Sequence, residues 1–155
     1  MNDDVSVETA AETRTVVVPA YTTWAEFPKL WSELLDEVWT CLRTSGITSG
    51  CRNVMVYEDD GAQVRVEVGV ETERQFPMTG RIVESRLPAC KVAKSVHRGA
   101  YASLGDAHDA VVKFCDAKGL RKTGRRWERY GPHSDDPAQV WVEVCYEIAD
   151  DVSSP

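Results

Sequence analysis

From Phe27 to Leu42 the large apolar residues recur in steps of three and one: Phe27, Leu30, Trp31, Leu34, Leu35, Val38, Trp39 and Leu42. That is the period of a helix with one continuous apolar stripe, and it predicts a helix over about 25–45. Thr23 and Glu26 have the spacing of a capping box, Pro28 fits a first helical turn, and Gly46 closes the segment. Trp31 and Trp39 share the stripe and are expected in the core. Ahead of the helix, Thr15-Val16-Val17-Val18 is β-branched and reads as a strand ended by Pro19. After it the period drops to two. Asn53–Asp59 and Gln63–Glu73 read as a hairpin across Asp59-Asp60-Gly61.

The second half repeats this order. Residues 81–86 and 90–98 are expected to be extended. Leu104, Ala107, Val111 and Cys115 make a second helical stripe over about 103–118, with Ser103 and Asp106 as its cap and Gly119 as its end. Arg126–Gly131 and Gln139–Ile148 then form a second hairpin. Alternation assigns the strand faces. Val64, Val66, Val68 and Val70 point one way, as do Val140, Val142, Val144, Tyr146 and Ile148, and these should lie under the helices. The other side carries Arg65, Glu67, Gly69 and Glu71 in the first copy, and Trp141, Glu143, Cys145 and Glu147 in the second. A Trp two residues before a Glu reads as a wall beside a polar anchor, the composition of a ligand site.

The two halves are also alike letter by letter. Asp59–Glu71 and Asp135–Glu147 agree at nine of thirteen positions with a constant offset of 76 (135 − 59). Upstream, Gly46-Ile47 and Tyr57 match Gly119-Leu120 and Tyr130 at an offset of 73, and the longer link Gly131-Pro132-His133-Ser134 accounts for the difference. The expected fold is therefore α+β, a tandem duplication of a strand-helix-strand-strand unit with pseudo-two-fold symmetry. Unit boundaries fall near 14–73 and 90–148 of a single domain 1–155, with flexible ends at 1–13 and 150–155. The seam between copies is the expected ligand groove.

Composition narrows the chemistry. At 155 residues, 43% apolar and 28% charged, the chain has the make-up of one globular domain. A net charge of −7 argues against direct nucleic-acid binding, which uses a basic surface to release counterions. It suits a cationic or neutral ligand. No apolar run reaches membrane-spanning length, and Met1-Asn2-Asp3-Asp4 lacks the basic and apolar regions of a signal peptide. Five cysteines without close pairs predict reduced thiols in a cytoplasm. Gly119–Gly124 has phosphate-loop spacing, but Arg125-Arg126 replaces Lys-Ser/Thr and a strand follows. Lys118, Arg121, Lys122, Arg125 and Arg126 read as a solvated helix-to-strand link. His97, His108 and His133 lack metal-ligand spacing, so neither metal nor cofactor is expected. His108 sits on the helical stripe and reads as a packed, hydrogen-bonded histidine; His133 falls in an exposed turn.

A set of short motifs completes the picture: Leu87-Pro88-Ala89, His97-x-Gly99-x-Tyr101-x-x-Leu104, Gly119-Leu120, Gly124, Glu128-x-Tyr130, Asp136-Pro137, and Glu143-Val144 with Ile148. In order and spacing they resemble the GyrI-like small-molecule-binding family, which also supplies effector-binding domains to AraC- and MerR-type multidrug regulators. The resemblance implies a tandem strand-helix-strand-strand fold with ligands between the units, against aromatic rings and a carboxylate of the last strand. That carboxylate maps to Glu143, and the Glu-x-Tyr motif supplies Glu128 and Tyr130. By the repeat, Glu67 and Tyr57 are the first-copy counterparts, and Trp141 is the adjoining ring. Glu147 stands where the family usually has Pro.

Three functions follow from the resemblance. The first is stand-alone binding of a small lipophilic or cationic molecule. The second is hydrolysis of cyclopropane-bearing or similar electrophilic compounds, with Glu143 activating a water. The third is an acidic inhibitor that binds DNA gyrase. A protein partner, gyrase or a regulator, belongs with these readings; direct nucleic-acid or membrane contact does not.

Overall fold

The computed structural model describes residues 4–132 and 136–149. In chain order its elements are β1 (Val5–Ala10), β2 (Thr13–Thr22), α1 (Phe27–Thr44), β3 (Arg52–Asp60), β4 (Gln63–Glu71), β5 (Val83–Leu87), β6 (Cys90–Arg98), α2 (Leu104–Lys118), β7 (Lys122–Tyr130) and β8 (Trp141–Ile148). A short 3-10 turn, Tyr101–Ser103, leads into α2. The fold is α+β. Two compact units divide it: Glu12–Leu87, and Met1–Ala11 with Pro88–Pro155.

In the unit Glu12–Leu87 the strands run β3-β4-β2-β5, all antiparallel. Register pairs Val16, Val18 and Ala20 with Val70, Val68 and Val66, and the same valines with Asn53, Met55 and Tyr57 on the other side. Helix α1 covers this face with Leu34, Val38 and Leu42, all fully buried. Each buried valine of the sheet contributes about 1.5–3 kcal/mol relative to an exposed one. Trp39 adds a polar tie, its Nε1 donating to Asn53 Oδ1 at 2.8 Å. On the other face β4 and β2 approach so closely at Gly69 that a Cβ there would stand 2.0 Å from the Val16 carbonyl oxygen.

In the other unit the order is β7-β8-β6-β1, again antiparallel. Helix α2 lays Ala107, Val111 and Cys115 on Ala93, Val142, Val144, Tyr146 and Ile148. The helix ends at Gly119, whose φ of 68° is the left-handed conformation that lacks a Cβ penalty.

Several expectations are corrected. Residues 1–13 do not form a loose arm throughout. Val5–Ala10 pair with Cys90–Ser95 as strand β1, because β6 offers an edge that only the folded chain creates. Pro19 does not end its strand: β2 runs on to Thr22. Strand β5 pairs only with Thr13–Val17, so Pro19 lies beyond it, where a missing N–H donor is tolerated. Trp31 is not a core residue, being 38% exposed. Thr23 accepts from the Glu26 amide in the turn before α1, through its carbonyl at 3.0 Å and its Oγ1 at 3.3 Å. Ser103 does not cap α2 with its side chain; its Oγ donates to the Ala100 carbonyl at 3.0 Å. The basic link is part of a strand, with Lys122, Arg125 and Arg126 inside β7. His133, Asp135 and the end 150–155 lie outside the described residues.

Candidate functional site

Glu128 and Tyr130 are two apart on β7 and so share a face. Register sets them opposite Val144 and Val142, the residues on which α2 packs. Both side chains therefore lie on the helix side of the sheet. His108 comes down from α2 and closes a network. Its Nε2 is 2.6 Å from Glu128 Oε2, and its Nδ1 is 2.7 Å from the Tyr146 hydroxyl. Tyr130 donates its hydroxyl to Glu128 Oε1 at 2.7 Å. The carboxylate is thus held from two sides while only 7% of its side chain is exposed. Burial first, and then Glu128, push the Tyr130 phenol well above its ordinary range. Tyr101 meets Tyr130 ring to ring at 6.0 Å, and Arg126 lies 5.9 Å from the Tyr146 ring centre. Tyr101 is itself exposed, so the aromatic cluster runs from the surface to the buried carboxylate.

Glu143 and Trp141 occupy the opposite face of the same strands. Glu143 pairs in register with Arg129 and takes a hydrogen bond from its Nη1 at 3.0 Å. Cys145 follows on that face, and burial together with Glu143 pushes its thiol up to about 12. The Trp141 indole packs directly on the Gly131 backbone: a Cβ at residue 131 would meet it at 2.2 Å. The unit Glu12–Leu87 shows the same separation. Glu67 is buried, bound by Arg65 Nη1 at 2.7 Å and Ser85 Oγ at 2.9 Å. Tyr57 lies on the α1 side with Trp24 and Phe27, ring centres 5.2 and 5.5 Å away.

Of the six residues expected at the site, then, Glu128 and Tyr130 come together, and Glu143 with Trp141 and Glu67 face away from the tyrosines of their own units. The physical reason is register. Tyr130 stands across from Val142, not from Glu143, and neighbours along a strand point to opposite faces. The residues that the sequence reading missed are His108, Tyr146 and Tyr101. The signal was present in part, since Tyr146 belongs to the helix-facing alternation and His108 to the α2 stripe.

Two open grooves lie elsewhere. One of about 1150 Å³ runs along α1, lined by Lys29, Glu33, Asp36, Glu37 and Phe76 among others. The other, about 1080 Å³, includes Lys94, His97, Arg98, Asp106 and Lys113. Neither contains any of the six residues. Among the described residues no group of three or more His, Cys, Asp or Glu could hold a metal ion. No described helix is long and apolar enough to cross a membrane.

Each unit is a four-stranded antiparallel sheet with one covering helix, an α+β arrangement. The chain belongs to the GyrI-like family: the profile of the GyrI-like small molecule binding domain matches residues 3–149. Among solved structures, the C-terminal domain of EcmrR is similar over 96% of this chain and 99% of its own, at 17% identity and a TM-score of 0.73. SAV2435 bound to tetraphenylphosphonium is similar over 95% and 94%, at 10% identity and the same TM-score. A hydrolase encoded by lin2189 from Listeria innocua covers 96% and 93%, at 10% identity and a TM-score of 0.60. At these identities the likeness is one of fold. A search of curated proteins finds no match.

Proposed function

We propose that this small-molecule-binding domain takes a lipophilic cation against Glu128, with Tyr130, Tyr146 and Tyr101 as its ring surfaces. One observation favours Glu128 over the other carboxylates. Glu128 shares its face of the sheet with the rings of Tyr130 and Tyr146, whereas Glu67 and Glu143 face away from the tyrosines of their own units. A cation that brings its own apolar surface would meet the rings and the carboxylate together. Tyrosine faces add cation–π attraction of about 0.5–2 kcal/mol. The tetraphenylphosphonium named with SAV2435 is a ligand of this chemistry and makes a suitable probe. The unit Glu12–Leu87 carries a ring cluster of its own, Trp24, Phe27 and Tyr57.

Titration calorimetry with tetraphenylphosphonium tests the assignment. Glu128→Gln should weaken binding by about 1–3 kcal/mol, the range for charged hydrogen-bond partners. Glu143→Gln and Glu67→Gln should have smaller effects. Equal affinity in wild type and Glu128→Gln would remove Glu128 from the site, and a loss confined to Glu143→Gln would move the site to the Trp141 face.

A second reading is turnover. In the neutral tautomer that donates Nε2–H to Glu128, His108 keeps a lone pair at Nδ1, toward the Tyr146 hydroxyl. A carboxylate-oriented imidazole is a general base, and the related fold of a hydrolase gives a reason to look. Product formation from a strained electrophile, lost in His108→Gln, would establish it; binding without product would leave the binder.

A further inference from the structure

Strand β5, Val83–Leu87, is the last strand on its side of the sheet, paired with β2 along one edge. Among the described residues no strand lies beyond it, so its outer edge carries backbone N–H and C=O groups able to pair with another chain. Alternation puts Glu84 and Arg86 on one face of the strand and Val83, Ser85 and Leu87 on the other. Glu84 and Arg86 are exposed, and Val83, a β-branched apolar residue, is 43% exposed. Charges on an edge strand ordinarily discourage pairing. On β5 their order makes an exception for one partner, a second copy of the same strand.

Two identical antiparallel strands related by a two-fold axis normal to the sheet are centred on one residue that faces its own copy. The axis keeps each side chain on its face, so registers that set odd positions against even ones are excluded. Centred on Glu84, the carboxylate meets its own copy. Centred on Arg86, the guanidinium does, and Glu84 falls opposite Pro88, which has no N–H to donate. Centred on Ser85, Glu84 stands opposite Arg86 of the second copy, and Arg86 opposite its Glu84. Val83 and Leu87 then meet across the other face. We propose that β5 is a self-recognition edge through which two copies of this chain pair antiparallel about Ser85.

The surroundings agree. Arg14 Nε lies 3.3 Å from Glu84, and Arg86 is bound to Glu12, so both charged residues of β5 have opposite charges at β2 or just before it. Pairing about Ser85 extends these contacts into a row: Arg14, Glu84, Arg86 of the second copy and its Glu12. The signs alternate throughout, and the two-fold axis makes the row twice. Opposite charges facing each other across a ladder stabilise it, and like charges oppose it. Ser85 at the centre is small, and its hydroxyl is turned to Glu67 at 2.9 Å, so no bulky pair sits on the axis. Strand β1, the edge of the other unit, lacks this self-complementarity: Val5–Ala10 contains Glu8 and no basic residue. Five residues a side make a small interface, so the pairing depends on concentration and weakens with salt.

Sedimentation of the full chain from about 10 µM to about 1 mM should show a reversible monomer–dimer equilibrium. Glu84→Arg leaves two positive charges on the edge, and Arg86→Glu leaves two negative ones. Each variant alone should dimerise about tenfold more weakly than wild type. Mixed in equal amounts they should recover the association, because every arginine then faces a glutamate. Each variant also loses a contact within its own chain, to Arg14 or Glu12, so circular dichroism first establishes that it folds. Should either fail, the wild type suffices: amide exchange at Val83–Leu87 should slow as concentration rises, while exchange at Val5–Ala10 stays constant. A monomer at about 1 mM would overturn the pairing. So would single variants that dimerise as wild type does, a mixture that recovers nothing, or exchange at β5 that ignores concentration.

Discussion

His108 Nε2 lies 2.6 Å from Glu128 Oε2, twenty residues away in sequence and on a different element. Two other carboxylates on the sheets, Glu67 and Glu143, meet arginines two positions along or directly across, Arg65 and Arg129. Fixed positive partners neutralise those two permanently. Glu128 is met instead by an imidazole from α2 and by the Tyr130 phenol two residues along its own strand.

The α1 interface should dominate the stability of its unit. Leu34 is fully buried against the valine face, and Leu34→Ala should cost about 2–5 kcal/mol in chemical denaturation. Trp31→Ala, one turn away and substantially exposed, should cost far less. Equal losses would show that α1 docks by another face.

Two glycines are required by close approach and not by backbone conformation. Gly69→Ala would drive a Cβ into the Val16 carbonyl, a rigid backbone obstacle, and should prevent or severely weaken folding. Gly131→Ala meets a side chain, the Trp141 indole, which can rotate. It should cost about 1–3 kcal/mol and shift the tryptophan emission as the ring is displaced. An unchanged spectrum would mean that Trp141 does not rest on Gly131.

All five thiols are free, and their reactivities should differ. Burial raises Cys145 to about 12 and Cys90 to about 11, and also raises Cys115. At pH 8 these three hold their protons, and the thiolate is the reactive form. Cys41 is buried with its Sγ 3.2 Å from the Pro77 carbonyl. Half-exposed Cys51 should therefore be alkylated first in the native protein, and all five after unfolding. Mass mapping of the time course checks this; early labelling of Cys145 would contradict its burial.

Tyr130 predicts the alkaline limb of stability. Its phenol is raised in the folded state, whereas an unfolded tyrosine ionises near pH 10. Below about pH 10 both states are protonated and the contribution is fully present. As pH climbs further only the unfolded chain releases the proton, so stability falls. Tyr130→Phe should flatten that fall in urea titrations between pH 9 and 11. A parallel decline in both proteins would assign the loss to other groups.

Much of this protein was legible in its sequence, because the relevant forces are local or periodic. The stripe Phe27–Leu42 specifies α1, since a 3.6-residue apolar repeat has one stable way to be buried. The alternating valines at 64–70 and 140–148 specify strands and also which side is covered. The recurrence of Asp59–Glu71 as Asp135–Glu147 is likewise visible in the residues alone. Tertiary structure decided the remainder. Register between β7 and β8 sets Tyr130 opposite Val142 and turns Glu143 to the far face, and register depends on turn geometry and pairing across the sheet. The strand at Val5–Ala10 exists because β6 presents an edge to it. Pro19 stays in β2 because β5 stops short of it. Above all, His108, Glu128, Tyr130 and Tyr146 are brought together from one helix and two strands, and hydrogen bonds between elements leave no period in the chain to read.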